Sequence, residues 1–254
     1  MSAAAQLPAR AGRIIAVASG KGGVGKTWLA ISLAHALAAA GQRVLLFDAD
    51  LGLANVDIQL GLMPTHDLSG VMEGRVTLGE AVLAHEGGFH ILAGRSGSGA
   101  LAAMTPGALE RLLGGLRHAA GGYDTVVMDL GAGLEPAVRR MAAFADTLCV
   151  VATDEPTSLT DAYAVLKLHA ADTVRGAGHA VLVINQAASR AAGERTHATL
   201  ARACSTFLGV TPALAGIIRR DDRVRDAIRR QTLLATRHPT CPAAEDVARL
   251  AAAL

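Results

Sequence analysis

The sequence predicts an α/β fold, a mostly parallel central sheet with helices on both faces. Three observations carry this reading. Strand-length runs rich in Val, Leu, Ile and Ala alternate with helical runs along the whole chain, the pattern of repeated strand–helix units. A glycine-rich loop, Gly20 to Thr27, separates the first strand from the first helix. Two strands end in an acid, Asp48 and Asp129. Right-handed crossovers bring the C-terminal ends of parallel strands to one edge of the sheet, where ligands of such folds bind.

Each element has its own signal. Arg13 to Ser19 reads as a short buried strand, and Trp28 to Ala40 as an alanine-rich helix closed by Gly41. Val44 to Asp48 is a second buried strand, Leu51 to Leu62 a polar–apolar stretch with room for a short helix, and Pro64 to Gly70 a loop. Leu78 to Ala84 reads as a short helix, Phe89 to Leu92 as a short strand, and Gly94 to Gly99 as a flexible loop. Thr105 caps a helix that opens on Pro106 and runs to about Ala120. Thr125 to Asp129 is a strand, Glu135 to Ala145 a helix, Thr147 to Ala152 a strand and Ser158 to Ala170 a helix. Ala180 to Asn185, Ala191 to Leu208 and Leu214 to Ile218 continue the alternation, and Asp221 to Gln231 and Ala243 to Leu254 are closing helices. With no linker or internal repeat, residues 13–254 read as one domain behind a loose tail, 1–12.

Composition sets bounds. Of 254 residues half are hydrophobic but 3% are aromatic, so the core must be built from Ala, Val, Leu and Ile. A net charge of +2 is too small to argue for a nucleic-acid or membrane partner. Cys149, Cys204 and Cys241 form no C-x-x-C pair, so no disulfide framework or zinc spacing is read, and a reducing cytoplasm fits. The histidines show no metal spacing, and no apolar run has the length of a signal peptide or a bilayer span.

The loop carries the chemistry. Gly20-Lys21-Gly22-Gly23-Val24-Gly25-Lys26-Thr27 fits the phosphate-binding pattern G-x-x-x-x-G-K-[ST] at every fixed position. Its glycines let successive backbone N–H groups converge on an anion, and the following helix adds the positive end of its dipole. Lys26 would reach the β- and γ-phosphates, and the Thr27 hydroxyl would ligate Mg²⁺. Asp48, Asp50 and Asp129 fall at strand ends on the same edge, where carboxylates can hold metal-bound waters and orient an attacking water. A lone strand-end aspartate would read equally as a turn former; three beside a phosphate loop do not.

Lys21 is a second lysine in a loop that needs only one for its own phosphates. The motif K-G-G-V-G-K-T resembles the deviant phosphate-loop ATPases that include MinD, ParA and the nitrogenase iron protein, whose extra lysine touches the nucleotide of a dimer partner; a solvated surface lysine is the alternative. Within that group, Asp48-Ala49-Asp50-Leu51-Gly52-Leu53-Ala54-Asn55-Val56-Asp57 is similar to the switch segment of MinD-like proteins. Val151 to Tyr163 resembles the corresponding segment of the FlhG/FleN branch, which controls flagellar number and placement. Phe207 to Val210 and the tail from Asp221 run parallel to it too, so the resemblance covers nearly the whole chain from Arg13.

The resemblance implies an ATPase that takes ATP and Mg²⁺ and forms an ATP-dependent homodimer. Lys21, Lys26 and Asp50 would serve catalysis, Asp50 by orienting the water. Gly22, Gly23, Val24, Gly25, Lys26, Thr27 and Trp28 would hold the phosphates. Thr27, Asp48 and Asp129 would act around Mg²⁺, Gly133 would belong to the second switch, and Asn185 matches the asparagine that recognises adenine. A buried Asn capping a turn is the alternative for Asn185. Asp154 and Glu155 are weaker candidates near the base or ribose.

The chain departs from the family at Trp28, where a small or polar residue is usual, at Leu130, where a hydroxyl is common, and at Arg219, which is counted among the nucleotide-binding residues although a proline usually packs near adenine there. Ala4-Ala5-Gln6-Leu7 is at best a relic of the N-terminal motif with which flagellar members stimulate a GTPase. The last helix, with Val247, Leu250 and Leu254 on one face, reads as packed on the domain rather than as a membrane anchor. Arg219, Arg220, Arg223, Arg225, Arg229 and Arg230 read as a solvated face rather than a DNA stripe, since Asp221, Asp222 and Asp226 lie among them.

Implied partners are the flagellar GTPase FlhF, a flagellar transcription activator and basal-body proteins, in the cytoplasm or peripherally at the inner membrane or cell pole. The rival is a partition or division-site ATPase with DNA or lipid binding. A metabolic member of the superfamily, whether reductase or ligase, and an inactive scaffold complete the alternatives; the missing cysteine pair argues against the reductase.

Overall fold

The computed structural model describes residues 12–94, 104–173 and 180–254. The tail 1–11, with Ala4 to Leu7, and the expected loop beyond Gly94 lie outside the described residues. The strands are β1 (Arg13–Ala18), β2 (Val44–Ala49), β3 (Val82–Ala84), β4 (His90–Leu92), β5 (Thr125–Leu130), β6 (Thr147–Ala152), β7 (Ala180–Ala187) and β8 (Ala213–Arg219). They form one sheet in the order β3-β4-β2-β5-β1-β6-β7-β8, parallel throughout except for β3 against β4. Described helices are α1 (Lys26–Ala39), α2 (Val56–Leu60), α3 (Leu68–Met72), α4 (Pro106–Ala120), α5 (Pro136–Phe144), α6 (Pro156–Asp172), α7 (Arg190–Leu208), α8 (Asp222–Arg229), α9 (Leu234–Arg237) and α10 (Pro242–Ala253).

The central strands are buried on both faces, which is why they read as continuous apolar runs rather than alternating ones. The pleat still sorts their side chains. Ile14, Ala16, Phe47, Met128 and Val150 face the layer of α4, α5, α6 and α7; Ile15, Val17, Leu46, Val127 and Cys149 face the layer of α1 and α10. The period of two then places Asp48 and Asp129, register partners on β2 and β5, on the α1 face. The acids are thereby delivered to the side on which the helix after the glycine loop lies.

Trp28 and the small residues of α1 pack here with Val247 and Leu250 of α10. The expectation that the last helix packs on the domain holds: Ala243, Ala244, Val247, Leu250 and Ala251 are buried. The three cysteines are free and buried.

Two elements differ from expectation. Leu78 to Ala84 is a turn followed by β3. Glu80 accepts hydrogen bonds from the Thr77 backbone N–H and hydroxyl, at 2.7 and 2.8 Å, which starts a turn. The reversal at Gly87-Gly88, with Gly88 at φ 82°, then lays Val82–Ala84 antiparallel on β4. Pairing along the sheet outweighs the weak local helical preference. Within the expected loop 64–70, Asp67 caps the N–H of Gly70 at 3.1 Å and opens α3.

Candidate functional site

The loop between β1 and α1 is shaped by its glycines. Gly23 and Gly25 have φ of 82° and 87°, the left-handed region that a side chain disfavours. A Cβ on Gly25 would stand 2.6 Å from the Asn185 amide nitrogen. Asn185, at the end of β7, is buried; its Nδ2 donates to the Val24 carbonyl at 2.7 Å, and its Oδ1 accepts from the Gln186 backbone N–H at 2.9 Å. Gln186 Nε2 donates to the Gly23 carbonyl at 3.3 Å. Two amides thus brace the loop through its carbonyls, which leaves the loop N–H groups to converge elsewhere. Gln186 was not legible as a site residue; its φ of 57°, rare for a non-glycine, marks it only in three dimensions.

Behind the loop stands a buried ion pair. Lys26 Nζ lies 3.7 Å from Asp129 Oδ1, with both side chains almost wholly enclosed. Both Asp129 oxygens are buried without a hydrogen-bond partner. Burial raises the Asp129 carboxyl above its ordinary range, while the neighbouring Lys26 ammonium pulls the other way. A carboxylate left in this state is suited to an incoming cation or its bound water. Thr27 follows Lys26 on the same turn of α1. Among the described residues no cluster of three His, Cys, Asp or Glu forms a metal cage; Mg²⁺ takes one or two protein ligands plus phosphate oxygens. The residues present fit that ion.

Asp48 is fully buried and is pushed up to about 7, first by burial and then by the Asp129 charge. Its two oxygens accept backbone N–H groups of Asp50 (3.3 Å), Asn55 (3.0 Å) and Val56 (3.0 Å). In this state Asp48 organises the segment 50–56 and the start of α2, a role that type and spacing alone did not show. Asp50 Oδ1 accepts from the Gly52 and Leu53 N–H at 3.3 and 3.0 Å, and a Cβ on Gly131 would lie 3.3 Å from it. The Gly133 N–H donates to the Ser19 carbonyl at 3.1 Å, which ties the segment after β5 to the root of the loop. Both segments expected to act as switches therefore meet at the sheet edge.

Asp48→Ala should free three backbone N–H groups at once, each unmet donor costing about 1–3 kcal/mol. Amide exchange should accelerate roughly tenfold or more across residues 50–58 and stay unchanged in β7. Unchanged exchange in that segment would show that Asp48 does not hold it.

Lys21 is not free in the single chain. Its ammonium pairs with Glu155 and donates to Thr157 Oγ1 at 3.0 Å, both at the start of α6. Glu155 is held below the usual carboxylate range by that hydrogen bond. Arg219 lies on the wall of a cavity of ≈ 290 Å³ with Gly23, Gly25, Trp28, Asn185 and Gln186. Its guanidinium, however, is spent on α10, reaching Asp246 Oδ2 from Nε at 2.7 Å and Glu245 from a terminal nitrogen at 3.3 Å. The expected nucleotide contact of Arg219 thus becomes one of placement on the wall. Asp246, enclosed and also paired with Arg190 and Arg249, anchors α10 to β8 and α7. Leu130 is wholly buried beside Ala49, so the usual hydroxyl gives way to core packing.

The arginine set is partly neutralised: Arg223 pairs with Asp221, and Arg230 with Asp226. No helix among the described residues is long and apolar enough to cross a membrane.

Residues 15–234 match the family model described as the CobQ/CobB/MinD/ParA nucleotide binding domain. The chain is 39% identical over 219 residues to the antiactivator FleN of Pseudomonas aeruginosa, an alignment covering 86% of this chain and 78% of that protein. It is 31% identical over 189 residues to the flagellum site-determining protein YlxH of Helicobacter pylori, covering 74% of this chain and 63% of that one. Among solved structures, the Pyrococcus furiosus cell division ATPase MinD superposes with a TM-score of 0.79 at 23% identity, covering 95% of this chain and 98% of that one. A chain of the MinC:MinD cell division protein complex of Aquifex aeolicus superposes with a TM-score of 0.75 at 26% identity, covering 94% of each chain. The braced loop, the orphaned Asp129 and these similarities agree: the chain belongs to the MinD/ParA family of nucleotide-binding ATPases and within it resembles the flagellar regulators.

Proposed function

We propose that the protein is an ATP-driven switch that dimerises face to face with Mg·ATP bound and regulates flagellar number or placement through protein partners. The observation that carries the chemistry is Asp129, a buried carboxylate with unmet oxygens beside Lys26 and Thr27. The loop N–H groups and Lys26 bind and orient the triphosphate; Thr27, with Asp129 in support, holds Mg²⁺, which supplies charge neutralisation at the phosphates when bound. Asp50, set by its own loop beside Gly131, orients the water. Lys21 leaves Glu155 for the partner's phosphates.

Support for the flagellar role is the likeness to FleN and YlxH, and the GTPase FlhF, a transcription activator and basal-body proteins are the proposed partners. Light scattering with and without Mg·ATP, together with flagellar counts in a deletion strain, tests both halves. A protein that stays monomeric under saturating Mg·ATP, or a deletion with unchanged flagella, contradicts the corresponding half.

The partition or division reading shares this chemistry and is separated by surface binding. The large apolar side chains of α10 are turned into the domain against α1, so α10 offers the lipid little. In co-sedimentation with anionic liposomes and ATP, the protein should remain in the supernatant. Robust binding that disappears on deleting 243–254 would contradict this.

A further inference from the structure

A second cavity, of ≈ 720 Å³, lies between α1 and α10. Arg13, the first residue of β1, and Gln42, just before β2, belong to its lining. It therefore lies toward the sheet edge opposite to the phosphate loop, which follows the C-terminal end of β1. Its walls are small and apolar: Ala36 and Ala39 from α1, Leu234 from α9, and Val247, Ala248 and Ala251 from α10. No Asp or Glu is among its described lining residues.

Arg13 is the one charged side chain of that lining. It is half-buried. Its Nε donates to Thr125 Oγ1 at 3.2 Å, and that hydroxyl donates to Gln42 Oε1 at 2.7 Å. The relay fixes the guanidinium, and its two terminal nitrogens meet no acceptor among the described residues. Burial lowers Arg13 from its ordinary value with no carboxylate to oppose the effect, yet a guanidinium stays charged. His35 adds no second charge, because burial first and His85 second hold it toward the neutral form. Cations taken out of water ordinarily have a counter-anion.

The shape and charge together define what would fit. One cation matches one negative charge, and the fork of a guanidinium matches a carboxylate through two parallel hydrogen bonds. Walls of alanine admit an unbranched chain, and the volume is that of a small-molecule site. A concave slot with a single cation takes one free molecule; a bilayer would call for a broad basic or apolar face.

We infer that the cavity is a binding site for a free amphipathic monocarboxylate, of the chemistry of a medium-chain fatty acid: the terminal nitrogens of Arg13 take the carboxylate, and the chain lies between the alanines of α1 and α10. Nothing in this depends on the nucleotide site.

Calorimetry on the full chain, below micelle-forming concentrations, compares decanoate, octanoate, decanol and acetate. Decanoate should bind at one site. Octanoate, two methylenes shorter, should bind about tenfold more weakly. Decanol, which keeps the chain and loses the charge, should also be weaker by about tenfold, and acetate should not bind. Arg13→Gln should weaken decanoate about tenfold and leave decanol unchanged. Ala248→Leu, at an exposed position of the wall, should weaken both by narrowing the slot. If Arg13→Gln fails to fold by circular dichroism, Ala248→Leu and the wild-type comparison of decanoate with decanol decide.

Equal affinity of wild type for decanoate and decanol overturns the inference, as does unchanged decanoate affinity in Arg13→Gln, since apolar partitioning alone would explain either. A wild-type protein that binds neither also overturns it. In that case a ready disulfide between Leu7→Cys and Ala248→Cys would give the cavity to residues 1–11, and nucleotide-independent self-association lost in Ala248→Leu would give it to a second copy of the chain.

Discussion

Lys26→Ala should abolish ATP binding, with a loss of roughly a hundredfold or more. The lysine has two tasks. It is the cation placed for the terminal phosphates, and it is the countercharge of a fully buried acid, 3.7 Å from Asp129. Without it the triphosphate loses its main cation. Asp129 loses the neighbour that most opposes the effect of burial and keeps only the smaller opposing effect of Thr27, so its carboxyl rises further and tends toward the neutral form, which holds a cation poorly. Arginine should not rescue, because both side chains are enclosed and a planar guanidinium is larger than the compact ammonium that it would replace. Calorimetry with Mg·ATP is the measurement, and near-wild-type affinity in Lys26→Ala would show that the loop does not bind phosphate as described.

The second large effect is a pair of opposite outcomes. Lys21→Ala should still bind ATP, because Lys21 is engaged by Glu155 and Thr157. It should fail to dimerise and should hydrolyse at least about tenfold more slowly, as expected when a charge that acts on the transferring phosphoryl group is lost. Asp50→Ala should bind ATP and dimerise, then stall before hydrolysis. Positioning of the nucleophile matters mainly in the transition state, whereas the loop supplies binding in the ground state. Size-exclusion chromatography with ATP should therefore show a monomer for the first variant and a persistent dimer for the second. Two monomers would make Asp50 a structural residue whose hydrogen bonds to Gly52 and Leu53 are its whole purpose. A Lys21→Ala protein that dimerises and turns over like wild type would remove the lysine from the mechanism.

What could be read from the sequence follows a physical divide. The phosphate loop is legible because its chemistry needs fixed residue types at fixed spacing within eight consecutive positions. The strand-end acids are legible because parallel topology sends every C-terminal strand end to one edge. Relations between distant residues were not legible. Asn185 stands 161 positions from the Val24 carbonyl that it braces, and Lys21 stands 134 from Glu155. Gln186 contributes through a backbone angle that its identity does not announce. Asp48 announced a metal ligand by its type, yet its oxygens are taken by three amides of the following segment. The hairpin of β3 and β4 escaped because short elements are decided by what they pair with, and Leu78 to Ala84 has no strong preference of its own.

The engagement of Lys21 in the single chain has a consequence for assembly. Any contact that it makes across a dimer replaces two that it already has, so its net contribution to association is a difference between similar interactions, not the whole of one. Glu155 is largely exposed and holds the lysine in water-rich surroundings, where the exchange is nearly balanced. A lysine with no rival at home would favour the joined state whatever nucleotide was present. A lysine with an almost equal alternative gives an equilibrium that the third phosphate can tip in one direction and its loss can tip back. Reversibility is thus built into the resting chain before any ligand arrives.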